Sequence, residues 1–380
     1  MTPPIAIVGA GLGGCATAVL LARQGRRVVL FERAPEPGPV GAGLLVHPSG
    51  VRALEQLGLA ERVLASAEPI CELVARHLDG RRLSRIAYAA AGPGASGFGV
   101  ARGALFTPLL EAALGAGVEL RPGVEIAGRE VETGRVVLLE RSGTRHGPFD
   151  LAVAADGSRS SLRRTLVGRP RVREARHAAL WASGPCSEVR GRLHQVVDGT
   201  RRLLGFVPTG GGRGSLFWGI PRDGWDALRA RGWAALAAEI RAFAPFAGEL
   251  LDSLGGFDDL VLATYRAVSL PRWSDQTLVV LGDAAHAMSP HLGQGANLAL
   301  GDAVALAEAL AEGGPPAEAF RSYERWRRPV ARLYGWFSAV LSPLFQSGIP
   351  GLALVRNLGL PPLVAFPPTQ RLMARVLAGL

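Results

Sequence analysis

The chain has 380 residues, of which 48% are hydrophobic and 19% charged, and this balance excludes a disordered or fibrous protein. Its length allows one large domain or two, with a substantial buried core. The formal net charge is +10, but all 42 basic residues are arginines scattered without a basic run, so we expect no nucleic-acid partner.

The first elements form a βαβ unit around a glycine-rich turn. Residues 5–8 are an apolar run, typical of a buried parallel strand. Residues 9–14 are the turn, residues 15–24 a helix that Gly25 ends, and residues 27–31 a second strand. The order of strand, glycine turn, helix and strand indicates a nucleotide-binding unit.

Each glycine in a pattern of this kind has its own physical role. Gly9 permits the tight bend, Gly11 lets a pyrophosphate approach the backbone, and Gly14 lets the helix pack closely on the strand. The free N–H groups and the dipole at the helix start stabilise phosphate charge. Glu32 ends the second strand, where a carboxylate can accept hydrogen bonds from a ribose diol. Residues 92–97 match the same glycine pattern, but no strand–turn–helix unit surrounds them, so we exclude them as a nucleotide site.

The middle of the chain mixes helices and strands until its character changes near residue 165. The predicted elements are, in order, a turn-rich loop at 35–43, a helix at 48–57, strands within 70–90 around a hairpin turn at 79–80, a helix at 103–116, and strands at 118–120, 135–140 and 149–154.

Alternating segments mark the region from 171 to 221 as an antiparallel sheet, for example at 193–197 and 203–207. The elements predicted after it are a helix at 225–244, a strand at 260–268, a buried parallel strand at 278–281, a long helix at 295–311 that the segment 313–315 ends, and helices throughout the remainder.

These elements predict an α/β fold with a Rossmann-type dinucleotide-binding domain, an inserted antiparallel-sheet substrate domain and a helical C-terminal region. The predicted bounds are 1–70, 100–165 and 275–330 for the discontinuous binding domain, 71–99 and 166–274 for the substrate domain, and 331–380 for the C-terminal helices.

One uncharged stretch, 333–355, is long enough to span a bilayer. Pro343 and Pro350 interrupt it, and a break there would expose unpaired backbone groups to lipid. We therefore expect buried or partner-facing helices joined by a turn, with peripheral membrane contact as the lesser alternative.

A second glycine-rich segment, 282–297, follows a predicted strand and enters a long helix. Asp283, at the strand end, can accept hydrogen bonds from a polyol, and the N–H groups of residues 293–295 form a positive helix terminus suited to an anionic ring system. The alternative is an ordinary turn in which Asp283 caps a helix.

At this point the chain resembles the FAD-dependent aromatic hydroxylases, the single-component flavoprotein monooxygenases that include p-hydroxybenzoate hydroxylase and the ubiquinone-biosynthesis hydroxylases. Three motifs occur in the order of that family and cover nearly the whole chain. They are residues 9–14 with Glu32 and Arg33, residues 155–163 as an Asp-Gly motif, and residues 282–297. In the Asp-Gly motif, D-G-x-x-S-x-x-R, Asp156 and Arg163 are in register.

The resemblance implies FAD as the cofactor and NADPH or NADH as a transient co-substrate, without a second nucleotide fingerprint. It implies that Asp283 holds the ribityl chain, that Pro290 lies near the isoalloxazine ring, and that residues 293–297 face its pyrimidine edge. The implied cofactor-binding residues are Gly9, Gly11, Gly13, Gly14, Glu32, Arg33, Arg102, Val124, Asp156, Asp283, Pro290, Gly293, Gly295 and Asn297.

The family's reaction would be hydroxylation or epoxidation of an aromatic or hydrophobic natural-product-type substrate with O2, through a C4a-hydroperoxide of the flavin. The protein must position the ring and exclude water. The candidate substrate residues are His47, His194, Phe206 and Trp218. His47 is the one candidate for a base that deprotonates a phenol, and simple packing is the alternative role for all four.

Two other functions stay open: a flavin-dependent reductase or dehydrogenase of a hydrophobic substrate, and a non-catalytic flavin-binding protein. A flavin-dependent halogenase needs an active-site lysine, and the chain has no lysine. A disulfide reductase needs a redox cysteine pair, which Cys15, Cys71 and Cys186 do not form.

We expect a cytoplasmic protein that holds no metal. The first residues lack a basic n-region and a cleavage site, and the three cysteines do not form a disulfide framework. His286 and His291 lack the H-E-x-x-H context of a metalloprotease.

Overall fold

The computed structural model describes residues 4–39 and 41–379. Its strands are, in chain order, β1 (Ile5–Val8), β2 (Val28–Phe31), β3 (Leu44–Val46), β4 (Glu68–Ile70), β5 (Glu72–His77), β6 (Arg82–Ala87), β7 (Gly97–Val100), β8 (Glu119–Arg121), β9 (Ile126–Glu132), β10 (Arg135–Glu140), β11 (Arg145–Phe149), β12 (Ala152–Ala154), β13 (Arg171–Pro185), β14 (Arg192–Asp198), β15 (Arg202–Gly210), β16 (Arg213–Pro221), β17 (Val261–Ser269) and β18 (Leu278–Val280).

Its α-helices are α1 (Leu12–Arg23), α2 (Pro48–Gln56), α3 (Ala60–Leu64), α4 (Arg102–Gly115), α5 (Trp225–Arg231), α6 (Trp233–Phe243), α7 (Gly248–Asp252), α8 (Asp283–His286), α9 (Gly295–Ala311), α10 (Pro316–Phe345), α11 (Leu352–Ala365) and α12 (Pro367–Ala378).

A five-stranded parallel sheet with the order β18-β12-β1-β2-β8 forms the centre of the nucleotide-binding half. Every residue of β1, β2, β12 and β18 is buried, as expected for apolar runs covered on both faces. α1 packs on β1 and β2 of this sheet and also contacts both α4 and α9. The Rossmann-type arrangement predicted from the first βαβ unit is confirmed.

A seven-stranded sheet with the order β17-β13-β16-β15-β14-β5-β6 forms the other half. Its neighbours are antiparallel except for the pair β14–β5. One face carries Leu180, Phe206 and Trp218 and packs on α5, α6 and α7. The strands of this sheet all come from the ranges assigned to the substrate domain, and the division of the chain into domains stays a prediction.

Two small antiparallel sheets contain the remaining strands. β3-β7-β4 lies against the seven-stranded sheet, where the backbone of Gly99 runs so close to Pro208 that a Cβ would come within 1.8 Å of its carbonyl oxygen. The second, β11-β10-β9, follows α4 and β8 in the chain.

The region beyond Pro315 is helical, as predicted. α10 continues through Pro329 and Pro343, and α11 begins after the turn at 346–351. α11 and α12 pack on β6 and beside the 3-10 turn Tyr88–Ala91. In the described ranges, no helix combines the length and apolar character that crossing a membrane requires.

Several predicted boundaries were wrong for local reasons. The helix expected at 225–244 is broken by Gly232, whose φ of +88° favours glycine, and the strand expected at 149–154 is two strands, β11 and β12. The helix expected at 15–24 begins at Leu12, directly after the glycine turn. Residues 1–3, part of the amino-terminal stretch for which no signal segment is expected, lie outside the described residues.

A buried arginine attaches the C-terminal helices to the seven-stranded sheet. Arg356 in α11 is 1% exposed, and its guanidinium donates to the carbonyl oxygens of Gly199 at 2.8 Å and Leu344 at 3.0 Å. The same group lies over the ring of Phe345. This one side chain therefore joins α11 to the end of α10 and to the turn between β14 and β15.

Replacing this arginine tests the attachment. Arg356→Met keeps an unbranched side chain but leaves two buried carbonyl oxygens without a donor, so we expect it to lower the free energy of unfolding by about 2–4 kcal/mol. Denaturant titration measures the change. The control Arg135→Met removes an exposed arginine at the start of β10 and should change stability by less than about 0.5 kcal/mol. Equal effects of the two variants would contradict the proposed attachment.

Candidate functional site

A cleft of about 490 Å³ opens at the carboxyl end of the parallel sheet. This edge is where open α/β sheets bind ligands. Seven of the predicted cofactor residues line the cleft: Gly9, Gly11, Glu32, Arg33, Arg102, Val124 and Asp156. They follow β1, β2, β8 and β12 or begin α4, so the topology of the sheet brings them together.

The four glycines of the first turn differ in their surroundings. Gly9 has φ of +104°, and a Cβ there would lie 2.4 Å from the carbonyl oxygen of Ala155. A Cβ on Gly14 would lie 1.9 Å from the carbonyl oxygen of Gly9, and one on Gly13 would meet Leu281 at 2.8 Å. A Cβ on Gly11 would meet no atom of the rest of the protein within 4 Å, so this position leaves the backbone open to the cleft. Gly13 and Gly14 therefore serve packing behind the turn.

Glu32 is fixed at the end of β2 by two backbone donors. One carboxylate oxygen accepts from the N–H of Ala10 at 2.8 Å and the other from the N–H of Ala34 at 2.9 Å. The backbone N–H of Val124 donates to the Glu32 carbonyl at 2.9 Å. An oriented carboxylate in a cleft whose helix start is positive fits the ribose and pyrophosphate of a dinucleotide.

Arg102, which lines the cleft, is close enough to Asp283 for their charges to interact. The guanidinium of Arg102 lies beside Gly41, and burial lowers the pKa of Arg102 while Asp283 opposes that shift. Desolvation by the surrounding groove raises the pKa of the Asp283 carboxyl, although Asp283 is exposed to solvent. His286, Arg102 and Arg163 oppose this rise. Asp283 also lies beside Gly295, the first residue of α9.

The Asp-Gly segment is held by its own side chains. Asp156 accepts with Oδ2 from the N–H of Ser161 at 2.9 Å, while its Oδ1 is buried without a partner among the described residues. Burial raises the pKa of Asp156. Arg163 is buried and donates to the carbonyl oxygens of Ser158 and Ala284. Arg163 therefore connects this segment to the turn after β18.

A buried ion pair supports that turn. The Asp302 carboxylate, 0% exposed, accepts from His286 Nε2 at 2.6 Å, from the backbone N–H of Gly282 at 3.0 Å and from Arg327 Nε at 2.7 Å. Although burial alone would raise the pKa of Asp302, these partners hold it well below its usual range. The network links α9, α10 and the end of β18, and it thereby sets the position of Asp283.

Asn297 joins the first and last thirds of the chain. Its Oδ1 accepts from the His47 N–H at 2.8 Å, and its Nδ2 donates to the carbonyl oxygens of Leu45 and Gly293, both at 3.0 Å. Gly50 allows this approach, because a Cβ there would lie 2.1 Å from Asn297 Oδ1. The turn 290–293 is therefore bound to β3.

His47 is a buried link in the same assembly. The Tyr88 hydroxyl donates to Nδ1 at 2.7 Å, and Nε2 donates to the Leu292 carbonyl at 3.1 Å, so both ring nitrogens are used within the protein. Burial lowers the pKa of His47 to about 4 and keeps it neutral. This placement favours the packing role given above as the alternative, and the role of His47 as a substrate residue and base stays a prediction.

The other predicted substrate residues lie away from the cofactor segments. Phe206 and Trp218 are buried among α5–α7, Trp218 against Phe243, and both His194 and Phe206 pack on Phe246. Alternation along β14, β15 and β16 places all three on the helix-covered face. Phe206 and Trp218 belong to the core of that half, and His194 is half-buried beside it. This favours the packing role given above as the alternative, and their role as substrate contacts stays a prediction.

The opposite face of the sheet carries an aromatic cluster that the sequence did not single out. Trp181 and Phe217 pack with ring centroids 5.0 Å apart, and Trp181 Nε1 donates to the Tyr265 hydroxyl at 2.9 Å. Ser215 on this face accepts from the N–H of Gly43, which leads into β3. All three aromatic side chains are half-buried. Knowing the register of β13, β16 and β17 was necessary to find them.

Comparison with known proteins agrees with this geometry. A family model described as "FAD binding domain" matches residues 2–334. The 2-heptyl-3-hydroxy-4(1H)-quinolone synthase of Mycobacteroides abscessus is 34% identical over 329 residues, 85% of either chain. The 6-hydroxynicotinate 3-monooxygenase of Pseudomonas fluorescens is 31% identical over 82% of this chain and 84% of that protein. The structure of P. aeruginosa PqsL in complex with 2-aminobenzoylacetate superposes with a TM-score of 0.79 at 27% identity, covering 91% and 97% of the two chains.

The Asp302 network predicts a pH-dependent loss of stability. Asp302→Asn leaves half-buried Arg327 without its counter-charge and removes the charged acceptor of His286, so we expect a loss of about 3 kcal/mol at pH 7. Because the folded pKa of Asp302 is lowered, its contribution is complete above the unfolded pKa of about 3.9 and is lost as the pH falls toward the folded value. Unfolding of both proteins from pH 7 to pH 2.5 measures the difference, with exposed Asp223→Asn as the control. A difference that does not change below pH 4 would contradict this assignment.

Because His47 is neutral in the folded protein, we expect a second pH dependence of the folding stability. The unfolded chain binds a proton at this histidine near pH 6.5, whereas the folded protein does not until about pH 4, so stability falls as the pH drops through this interval. His47→Gln should destabilise the protein at pH 7.5. The difference in free energy of unfolding between the unsubstituted protein and the variant should then shrink toward pH 4.5, by at most about 1.4 kcal/mol per pH unit. Chemical denaturation at several pH values tests this, and a constant deficit would show that His47 is protonated in the folded protein.

Proposed function

The chain belongs to the FAD binding domain family and is an FAD-dependent monooxygenase, and we propose that it oxygenates an electron-rich, nitrogen-bearing aromatic ring. O2 and either NADH or NADPH would be the co-substrates. The observation that carries the substrate class is the uncharged aromatic cluster of Trp181, Phe217 and Tyr265 on the sheet face connected to β3.

The cleft residues fit FAD by charge, orientation and close backbone approach. The turn at Gly9 and Gly11 with the start of α1 would hold the pyrophosphate, and Glu32 the ribose. Asp283 would hold the ribityl chain, beside the start of α9 at Gly295. Bound FAD supplies hydride acceptance from the nicotinamide and activation of O2.

The chain's own residues keep this site rigid. Asn297 holds the turn 290–293 on β3, and Asp302 holds Gly282 at the end of β18. Groups held before the ligand arrives need no reorganisation during the reaction. Since His47 is neutral with both nitrogens engaged, its role in this proposal is to support the turn through Leu292.

The aromatic cluster would position the substrate ring. Stacked and edge-to-face contacts with Trp181 and Phe217 favour a planar ring, and they need no charge on the substrate. Burial raises the pKa of Tyr265 to about 12, so its hydroxyl stays neutral and hydrogen-bonding at working pH. The side-chain amide nitrogen of Gln346 lies against Gly219 on this face and has no partner among the described residues, so it is a donor for a ring carbonyl or ring nitrogen.

The names of three relatives support this choice of ring, whereas other relatives are named for 3-hydroxybenzoate, which the assay below therefore includes. A quinolone, a nicotinate and a 2-aminobenzoyl compound are all aromatic and all carry nitrogen on or in the ring. These relatives favour a monooxygenase over a reductase or a non-catalytic flavin-binding protein. Among the described residues no charged group contributes to the pKa shift of Tyr265, and an uncharged aromatic wall favours a neutral ring over a benzoate.

Substrate-stimulated oxidation of NADH or NADPH tests the proposed function. Purified protein loaded with FAD should be yellow, and NADH or NADPH oxidation should accelerate with a ring panel of 2-alkyl-4-quinolones, 6-hydroxynicotinate and 3-hydroxybenzoate. We expect the neutral quinolones to stimulate most, with product heavier by one oxygen in mass spectrometry. Stimulation by 3-hydroxybenzoate alone would refute the substrate class. NAD(P)H oxidation that yields only hydrogen peroxide with every ring would refute the monooxygenation of this panel.

Adjacent residues on β16 provide a matched pair of variants. Phe217→Leu removes a ring from the cluster, and we expect KM for the best substrate to rise about tenfold, since one aromatic contact contributes about 0.5–1.5 kcal/mol beyond its buried area. Trp218→Leu, one position along, removes a ring from the opposite face and should lower stability without changing KM. Steady-state kinetics and thermal denaturation of both variants measure these effects. The reverse pattern would place the substrate on the helix-covered face.

A further inference from the structure

Exposed apolar side chains are concentrated at the carboxyl-terminal end. Of the eighteen large apolar residues that the described structure leaves exposed, eleven lie between residues 326 and 372: Trp326, Leu333, Trp336, Val340, Ile349, Leu354, Val355, Leu358, Leu363, Phe366 and Leu372. Scattered single residues of this kind need no explanation, but a concentration on three consecutive helices indicates an interaction surface.

The exposed side of α11 is apolar throughout its length. Leu354 and Leu358 are 62% and 68% exposed, and the face continues through Leu363 and Phe366 without a charged residue. The inner side of the same helix already packs on β6 through Leu360 and Val364. A helix that is apolar on both sides needs a second apolar surrounding in addition to the protein core.

The charge around this surface has one sign. From Arg325 to the end of the chain there is no aspartate or glutamate, whereas there are seven arginines. Three of them are used internally: Arg327 with Asp302, Arg328 with Glu324, and buried Arg356. The other four are exposed, and none takes part in an ion pair among the described residues: Arg325, Arg332, Arg371 and Arg375.

Arginine and aromatic residues share one side of α10. Arg325, Arg332, Trp336 and Val340 follow one another at intervals of seven, four and four residues, which places them on the same helix face. Trp336 is 59% exposed on this face. Tryptophan and arginine beside leucine are typical of helices that lie in the headgroup region of a membrane.

We propose that the exposed sides of α10, α11 and α12, here called the docking face, lie on an anionic membrane surface. The apolar side chains would enter the boundary between headgroups and acyl chains, and the four exposed arginines would contact lipid phosphates. The helices would lie on the bilayer and not cross it, since none in the described residues is long and apolar enough to span.

A second copy of the chain fits the docking face less well than a membrane does. A two-fold symmetric contact through this face would bring the arginines near their own copies, and the segment carries no carboxylate to neutralise them. An anionic lipid surface supplies the missing negative charge. The proposal does not depend on the identity of the substrate, because its readout is binding.

Co-sedimentation with vesicles tests the docking face. FAD-loaded full-length protein is mixed with vesicles of phosphatidylcholine alone or with 30% phosphatidylglycerol. We expect at least tenfold tighter binding to the anionic vesicles, weakened when the salt is raised from about 0.1 to 0.5 M. Failure to bind either vesicle would overturn the proposal.

Two matched pairs of variants separate the apolar from the charged contribution. Leu354→Gln with Leu358→Gln should abolish binding, whereas Leu114→Gln, on an exposed helix position elsewhere, should not.

Arg371→Gln with Arg375→Gln should reduce binding to anionic vesicles at least fivefold. The exposed control pair Arg135→Gln with Arg173→Gln should leave it unchanged. An equal loss with the control pair would show that net charge, and not this face, attracts the membrane.

Light scattering of the FAD-loaded protein without lipid tests whether a second copy of the chain covers the docking face. A stable dimer that the two leucine substitutions dissociate would assign the face to a second copy and overturn membrane docking. Retained FAD absorbance and thermal midpoints in all variants confirm that the fold is intact. Failure of the substrate panel to stimulate NAD(P)H oxidation would leave the vesicle result unaffected.

Discussion

A buried carboxylate, Asp302, holds together the part of the molecule on which the candidate site depends. It neutralises Arg327 from α10, accepts from His286 and fixes the backbone of Gly282, where β18 ends. A charge with 0% exposure persists only when its partners compensate the lost hydration, and here three donors do so. Because Gly282 precedes Asp283, the position of the residue expected to meet the cofactor follows from an ion pair behind it.

A second, uncharged assembly continues this support on the other side of the turn 290–293. Asn297 binds β3 and Gly293, His47 binds Leu292, and Tyr88 orients His47. Gln294 donates to the Leu377 carbonyl at 2.7 Å, so α12 is attached to the same segment. The residues beyond Pro315 therefore contribute to the site through its support, and the low pKa of His47 reflects a structural role for a side chain whose type usually suggests proton transfer.

The two faces of the seven-stranded sheet have different roles. One face packs on α5–α7 and supplies a hydrophobic core, while the other carries the aromatic cluster and, at its edge, meets β3-β7-β4 and the C-terminal helices. Those helices use their inner sides on the sheet and leave the docking face outside. The proposed substrate site and the proposed docking face can thus share one framework, because each element has two sides with separate partners.

The sequence by itself determined the parts that depend on neighbouring residues: the glycine turn, the Asp-Gly segment, the helix at 295–311 and the family resemblance. These features are local, since a strand end, a turn and a helix start lie within some ten residues of one another. Only the tertiary structure decided that Phe206 and Trp218 are core while Trp181 and Phe217 form a wall. A shift of one residue in register exchanges the faces of a strand, and register comes from pairing with distant strands. The contact of His47 with Asn297 crosses 250 residues and left no local pattern to read.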